Sequence, residues 1–248
     1  GKEVRDAWRL YWLCRLRVRI RVYEVAIVMS KEDQTSVCVV THPLSEASEM
    51  AVAGLLEIVS ASCFSASLVT ANLPDDSQIW DNYEVNEISD ADTGDSPIVA
   101  APRFVLNQIR MCRELRRRDE EVFLFFGAVS YVLPILFSRL LGKRVVVEPR
   151  GNVPDSLRRI WEDTLPAPVA YLLSRPVWLL ERIGYTLAHG ILVLSPSMAD
   201  DLGLRKPRYE RKLHEHGARP VDVDRFRPRT PYEERDRRIG YLGRLDEE

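Results

Sequence analysis

The run Ile239-Gly240-Tyr241-Leu242-Gly243-Arg244-Leu245 reads as a buried strand breaking into a glycine turn with an arginine just beyond it. Gly243 and Arg244 there would present backbone N–H groups and a fixed cation to a phosphate. A second concentration of charge is Glu148-Pro149-Arg150-Gly151-Asn152-Val153-Pro154-Asp155-Ser156. Arg150 can hold a phosphate or carboxylate through two parallel hydrogen bonds, or serve as a structural ion pair. Gly151 and Asn152 belong to the same loop, and Asp155 or Ser156 can cap the helix that follows. The third segment is Thr41-His42-Pro43-Leu44-Ser45-Glu46. Here Ser45 can cap a helix whose N-terminus would take an anion, with His42 and Glu46 beside it. The plainer alternative is a cap next to a surface histidine. His189 reads as the last residue of a long helix. His214 and His216 share one strand face but have no evident third ligand, so they read as solvent-facing and no metal site is expected. There is no GxSxG, P-loop or HExxH motif, and no catalytic residue is assigned.

The elements that would carry these residues alternate. Short apolar runs at Val37–Val40, Ala66–Thr70, Val122–Phe126, Arg144–Glu148 and Ile191–Leu194 read as strands. Further short strands are expected at Tyr83–Ile88 and Pro97–Ala100. Helical spacing appears over Glu46–Ser60, Phe104–Arg118, Tyr131–Leu141, Leu157–Trp161 and Val169–His189, with a short helix near Met198–Leu202. The run Val122-Phe123-Leu124-Phe125-Phe126 is apolar throughout, as a strand covered on both faces must be. This order predicts βαβ units: a Rossmann-like α/β fold, mostly parallel, with helices on both faces. In such a sheet ligands gather at the carboxyl ends of the strands, where His42–Glu46 and Arg150–Asn152 fall.

Composition narrows the function classes. A net charge of −2 over 248 residues gives no general attraction to nucleic acid. The four cysteines are scattered without metal-ligand spacing, which favours reduced thiols and the cytoplasm. No apolar run approaches the ~20 residues of a membrane span. The charge is unevenly placed. Residues 1–28 are basic, whereas from Met29 to Pro102 Lys31 is the only basic residue among many acids. The expectation is that Met29 is the initiator and that 1–28 is upstream sequence; the alternative is a real basic extension. The expected division is then one complete α/β domain over 29–202, a charged, proline-rich linker over 203–237, and the first strand of a second domain over 238–248.

Several motifs in order make the chain resemble family 4 glycosyltransferases of the two-domain GT-B architecture. Leu140-Leu141-Gly142-Lys143-Arg144-Val145-Val146 is similar to the family's “LGK(R/K)VV”, and Glu148–Ser156 to “E-x-R-D-x-W-P-E-S”. Ala188-His189-Gly190-Ile191-Leu192-Val193-Leu194-Ser195 is similar to “AD-x-I-(I/V)-x-x-S”. Val221-Asp222-Val223-Asp224-Arg225-Phe226-Arg227-Pro228 resembles the “V-D-x-x-x-F-x-P” segment, and Ile239–Leu245 the “(I/F)-x-Y-(V/L)-G-R-L” that opens the donor domain. The chain departs from the pattern at His42–Glu46, where paired glycines are frequent, and at Gly151, His189 and His216. The resemblance implies a retaining transfer, independent of metal and without a cofactor, from a nucleotide-sugar donor to a glycan or polyprenyl-linked acceptor. It implies that Arg244 binds the donor diphosphate and that His42, Ser45, Glu46, Arg150, Gly151 and Asn152 line the acceptor cleft. The remainder of the donor site would follow Glu248, so the fragment would be inactive alone. Polysaccharide biosynthesis and a peripheral contact with the inner face of the cell membrane, through Tyr131–Leu141 and Val169–Leu180, fit the same reading. The alternatives are a non-catalytic partner subunit that binds an acceptor or membrane, and another nucleotide-binding α/β enzyme.

Overall fold

The computed structural model describes residues 35–44, 46–89, 97–217, 230 and 232–234. The basic segment 1–28, Met29 and the strand expected at 238–248 lie outside them. Among the described residues seven strands form one sheet: β1 (Ser36–Pro43), β2 (Ser65–Ala71), β3 (Glu84–Glu87), β4 (Val122–Phe126), β5 (Arg144–Glu148), β6 (Gly190–Val193) and β7 (Leu213–Glu215). Their order is β3-β2-β1-β4-β5-β6-β7, and every pairing is parallel. The expected Rossmann-like α/β sheet is therefore present.

The strands are joined by α1 (Glu46–Ser60), α2 (Ile79–Asn82), α3 (Pro97–Leu115), α4 (Val132–Leu140), α5 (Val153–Glu162), α6 (Ala167–Leu187), α7 (Pro196–Asp201) and α8 (Pro207–Glu210). Side chains alternate between two cores, as the two-residue period of a strand requires. Cys38 and Val40 of β1, Phe123 and Phe125 of β4, and Val145 and Val147 of β5 pack with Met111, Ile135 and Tyr185 from α3, α4 and α6. Val37 and Val39, Leu124 and Phe126 face the other way, toward Val52, Leu55 and Leu56 of α1. Helices therefore cover both faces, which is why β4 needs apolar residues without interruption. Burial pushes the Cys38 thiol up to about 12, so it behaves as a small core residue.

Two sequence expectations are corrected. Pro97–Ala100 is the first turn of α3 and not a strand. A four-residue apolar run fits either period, and proline suits the first turn of a helix, where its missing N–H leaves no bond unmade. The stretch 203–237, read as linker, opens with α8 and β7, and β7 pairs with β6 through Ile191↔Leu213 to Val193↔Glu215. A three-residue edge strand, Leu213-His214-Glu215, carries the charge that edges use against unwanted pairing, so it looks like linker.

The chain order reverses direction between β1 and β4. The connection from β1 leads outward to β2 and β3, and the return through α3 lands on the other side of β1. Such a switch point opens a crevice at the carboxyl ends of the two strands.

Candidate functional site

His42 stands at this crevice because of an irregularity in β1. The β1–β2 register shifts between Val40 and Pro43, and a bulge of this kind re-aims a side chain. The turn after it is tied down by Leu44 N donating to Ala71 O at 2.9 Å and Asn72 Nδ2 donating to Leu44 O at 2.8 Å. Below it the buried hydroxyls of Thr41 and Thr70 meet at 2.7 Å. His42 Nδ1 lies 2.6 Å from Pro43 O. A carbonyl can only accept, so Nδ1 carries the hydrogen and Nε2 holds a lone pair. Burial lowers the imidazole below its ordinary value, and the bond to Pro43 O opposes this in part. The ring is neutral at neutral pH, an acceptor at Nε2 fit to receive a hydroxyl proton.

Gly127 ends β4 with φ at +69° and lets His42 and Arg150 close over it. A Cβ at that position would lie 3.1 Å from His42 Nε2 and Cδ2 and 3.3 Å from Arg150 Cγ. Its N–H donates to Glu148 O at 2.8 Å, which fastens the ends of β4 and β5 together. His42 and Arg150, 108 positions apart in the chain, are thus neighbours across one glycine.

Arg150 is held from two sides. Its guanidinium lies 4.7 Å over the Phe126 ring, and Nη1 is 3.5 Å from Glu148 Oε1. Glu148 is 1% exposed, a carboxylate at the end of a buried strand. From β7's end His216 Nε2 approaches the same oxygen at 3.6 Å. Both distances exceed a hydrogen bond, and neither Glu148 Oε1 nor His216 Nε2 has a hydrogen-bond partner among the described residues. His216 is therefore not the solvent-facing residue its alternating context suggests; it turns in toward the end of β5. The Arg150 side chain keeps about a third of its surface, enough to offer its outer nitrogens to an anion.

The remaining sequence candidates fall out differently. Asn152 caps α5, its Oδ1 accepting from Asp155 N at 3.3 Å. Gly151 forms the bend before it, with open space where a Cβ would be. Glu46 begins α1, whereas Ser45, Gly243 and Arg244 lie outside the described residues. His189 is placed after α6, at the opposite end of the sheet. Its Nδ1 accepts from Val145 N at 3.0 Å, a structural bond to the start of β5. No group of three His, Cys, Asp or Glu that could hold a metal ion occurs among the described residues.

Glu148, Gly127 and His216 complete the site without having been singled out for it. The signal for Glu148 is its position: an acid at the end of Arg144-Val145-Val146-Val147, two residues before an arginine, has to be buried and paired. Nothing in the sequence near His216 points across the sheet to it.

No protein-family profile matches this chain, and no curated protein matches it. Among solved structures it is similar to MurG of Acinetobacter baumannii, with 14% identity over 66% of this chain and 42% of that one, at a TM-score of 0.40. It is similar to UGT2 of Phytolacca americana, solved with UDP-2fluoro-glucose and pterostilbene, with 12% identity over 77% and 56% and a TM-score of 0.48. It is likewise similar to UDP-N-acetylglucosamine 2-epimerase from Rickettsia bellii, with 14% identity over 78% and 48% and a TM-score of 0.48. The chain spans about half the length of these structures.

Proposed function

We propose that this chain supplies the acceptor-binding half of a glycosyltransferase that uses a nucleotide sugar, of the GT-B, family 4 type that its motifs resemble. The observation that carries the reading is the meeting of His42 and Arg150 across Gly127 at the switch point of the sheet. A neutral imidazole with its lone pair on Nε2 accepts the hydrogen bond of an acceptor hydroxyl and orients that oxygen for attack. Arg150, steadied by Glu148 and Phe126, offers a cation to a phosphate or carboxylate of a glycan or polyprenyl-linked acceptor. Leaving-group charge would fall to Arg244, the arginine that the resemblance of the Gly243-Arg244 motif assigns to the departing nucleoside diphosphate. With that cation in place the transfer runs without a metal ion, and the anomeric configuration of the donor is retained.

The test is a transfer assay on the protein that carries this chain together with its donor half, with product configuration read by proton NMR. The expected result is a product of the donor's own configuration, lost in Arg244→Ala while the fold is intact. Activity unchanged in Arg244→Ala, or an inverted product, overturns the donor-site or the retaining part of the reading respectively.

A further inference from the structure

A cleft of about 150 Å³ lies between α5 and α6, lined by Asn152, Arg158, Tyr171, Ser174, Arg175 and Trp178. Tyr171, Ser174, Arg175 and Trp178 follow helical spacing, so one face of α6 supplies all four. The facing wall is the start of α5, reached from the end of β5 through residues 149–152. The cleft therefore opens at the same end of the sheet as His42 and Arg150, and Asn152 in its wall is two residues beyond Arg150. The α6 residues of the lining have no part in the crevice around His42.

The charges of the two walls differ. On α5, Arg158 pairs with Asp155 at 2.9 Å and with Glu162 at 3.5 Å, and Arg159 with Asp155 at 3.2 Å, so two arginines answer two acids. On α6, Arg175 pairs with no carboxylate among the described residues. Its guanidinium lies 5.4 Å over the Tyr171 ring and 4.3 Å over the Trp178 ring. Stacking uses the face of a guanidinium and leaves the fork of N–H groups at its edge free, held in one orientation. That fork matches the two oxygens of a carboxylate. One uncompensated cation answers one negative charge, whereas a diphosphate brings more than the cleft can meet. The rest of the lining suits a sugar. Asn152 spends its Oδ1 on the cap of α5 and keeps its amide N–H groups for a hydroxyl. Ser174 Oγ donates to Tyr171 O at 2.9 Å, and its oxygen can still accept. The hydroxyl of the exposed Tyr171 is a further partner.

We propose that the α5–α6 cleft is a subsite for a uronate-type sugar, its single carboxylate held by Arg175 and its hydroxyls by Asn152 and Tyr171. That this sugar is a unit of the acceptor rests on the transferase reading. The subsite itself does not, because its binding is measured without donor or transfer, and a failed Arg244→Ala test leaves it standing.

NMR titration of the full chain with methyl glucuronoside, and with the methyl ester of the same sugar, tests it. The acid is expected to move the indole N–H resonance of Trp178, identified by its loss in Trp178→Phe. It should bind about tenfold or more tightly than the uncharged ester, the value of one charge-assisted hydrogen bond. Arg175→Ala should weaken the acid by about tenfold or more and leave the ester unchanged. Arg175→Lys keeps the charge without the fork and should weaken the acid about fivefold. Arg175 is exposed, so thermal unfolding of both variants should match that of the parent. Inorganic phosphate or acetate at equal concentration should leave the sugar acid bound. Equal binding of acid and ester, no binding of either, or affinity for the acid unaltered in Arg175→Ala overturns the proposal. So does displacement by phosphate or acetate, which would show a site for any small anion.

Discussion

Replacing Gly127 by alanine should strike the candidate site through its geometry. The residue has φ at +69°, where an L side chain costs roughly 1–2 kcal/mol. The new methyl would also lie 3.1 Å from the His42 ring and 3.3 Å from Arg150 Cγ, so one or both must give by a few tenths of an ångström. His42 is held by the bond from Nδ1 to Pro43 O, and Arg150 by Glu148 and Phe126, so neither yields freely. Together these place the loss at about 2–3 kcal/mol. Gly142 supplies the control: its φ is +77°, yet nothing lies within 4 Å of a Cβ there. Gly142→Ala should therefore cost only the backbone strain, about 1–2 kcal/mol. Urea unfolding measures both losses, and NMR titration of the His42 ring separates their causes. In the parent, burial keeps that ring's pKa below its ordinary value. Displacing the ring toward solvent should raise it in Gly127→Ala and leave it unchanged in Gly142→Ala. Equal stability losses in the two variants, with the same His42 titration, would refute the claim that Gly127 is what seats His42 against Arg150.

Other residues give independent checks. A Cβ on Gly184 would lie 2.1 Å from Val129 O, so Gly184→Ala must push α6 away from the loop after β4. The expected loss in chemical unfolding is on the order of 4 kcal/mol, although alanine is the better helix former by about 1 kcal/mol; a stabilised variant would show that α6 does not pack this closely. Burial raises the Glu181 carboxyl from 4.5 to about 7, with Arg182 acting against it. Between those values the folded chain keeps a proton that the unfolded chain releases, so stability falls as pH rises and is lowest above about 7, by roughly 3 kcal/mol. Glu181→Gln should remove that slope and be the more stable form at pH 8; an unaltered slope would place the titrating group elsewhere.

Much of the architecture is legible because β4 and β5 announce themselves. Five consecutive apolar residues at Val122–Phe126, ended by glycine, leave room for little but a central strand, and Arg144–Glu148 follows at the distance of one helix. The strand ends that bear His42 and Arg150 follow from that order. What the sequence hides is geometry between distant segments. The register shift that turns His42, and the positive φ that makes Gly127 its neighbour, are not written in composition. His216 lies 68 positions from Glu148 and meets it only because β7 completes the sheet, and β7 is disguised by its charges.

The most direct test of the acceptor crevice is steady-state kinetics of the protein carrying this chain and its donor half, comparing the parent with His42→Ala and Arg150→Ala. If the crevice seats the acceptor, acceptor KM rises at least about tenfold in each variant, the value of one lost charge-assisted or buried hydrogen bond, while donor KM stays within about twofold. Donor KM rising with acceptor KM unchanged, or neither parameter moving, would contradict it.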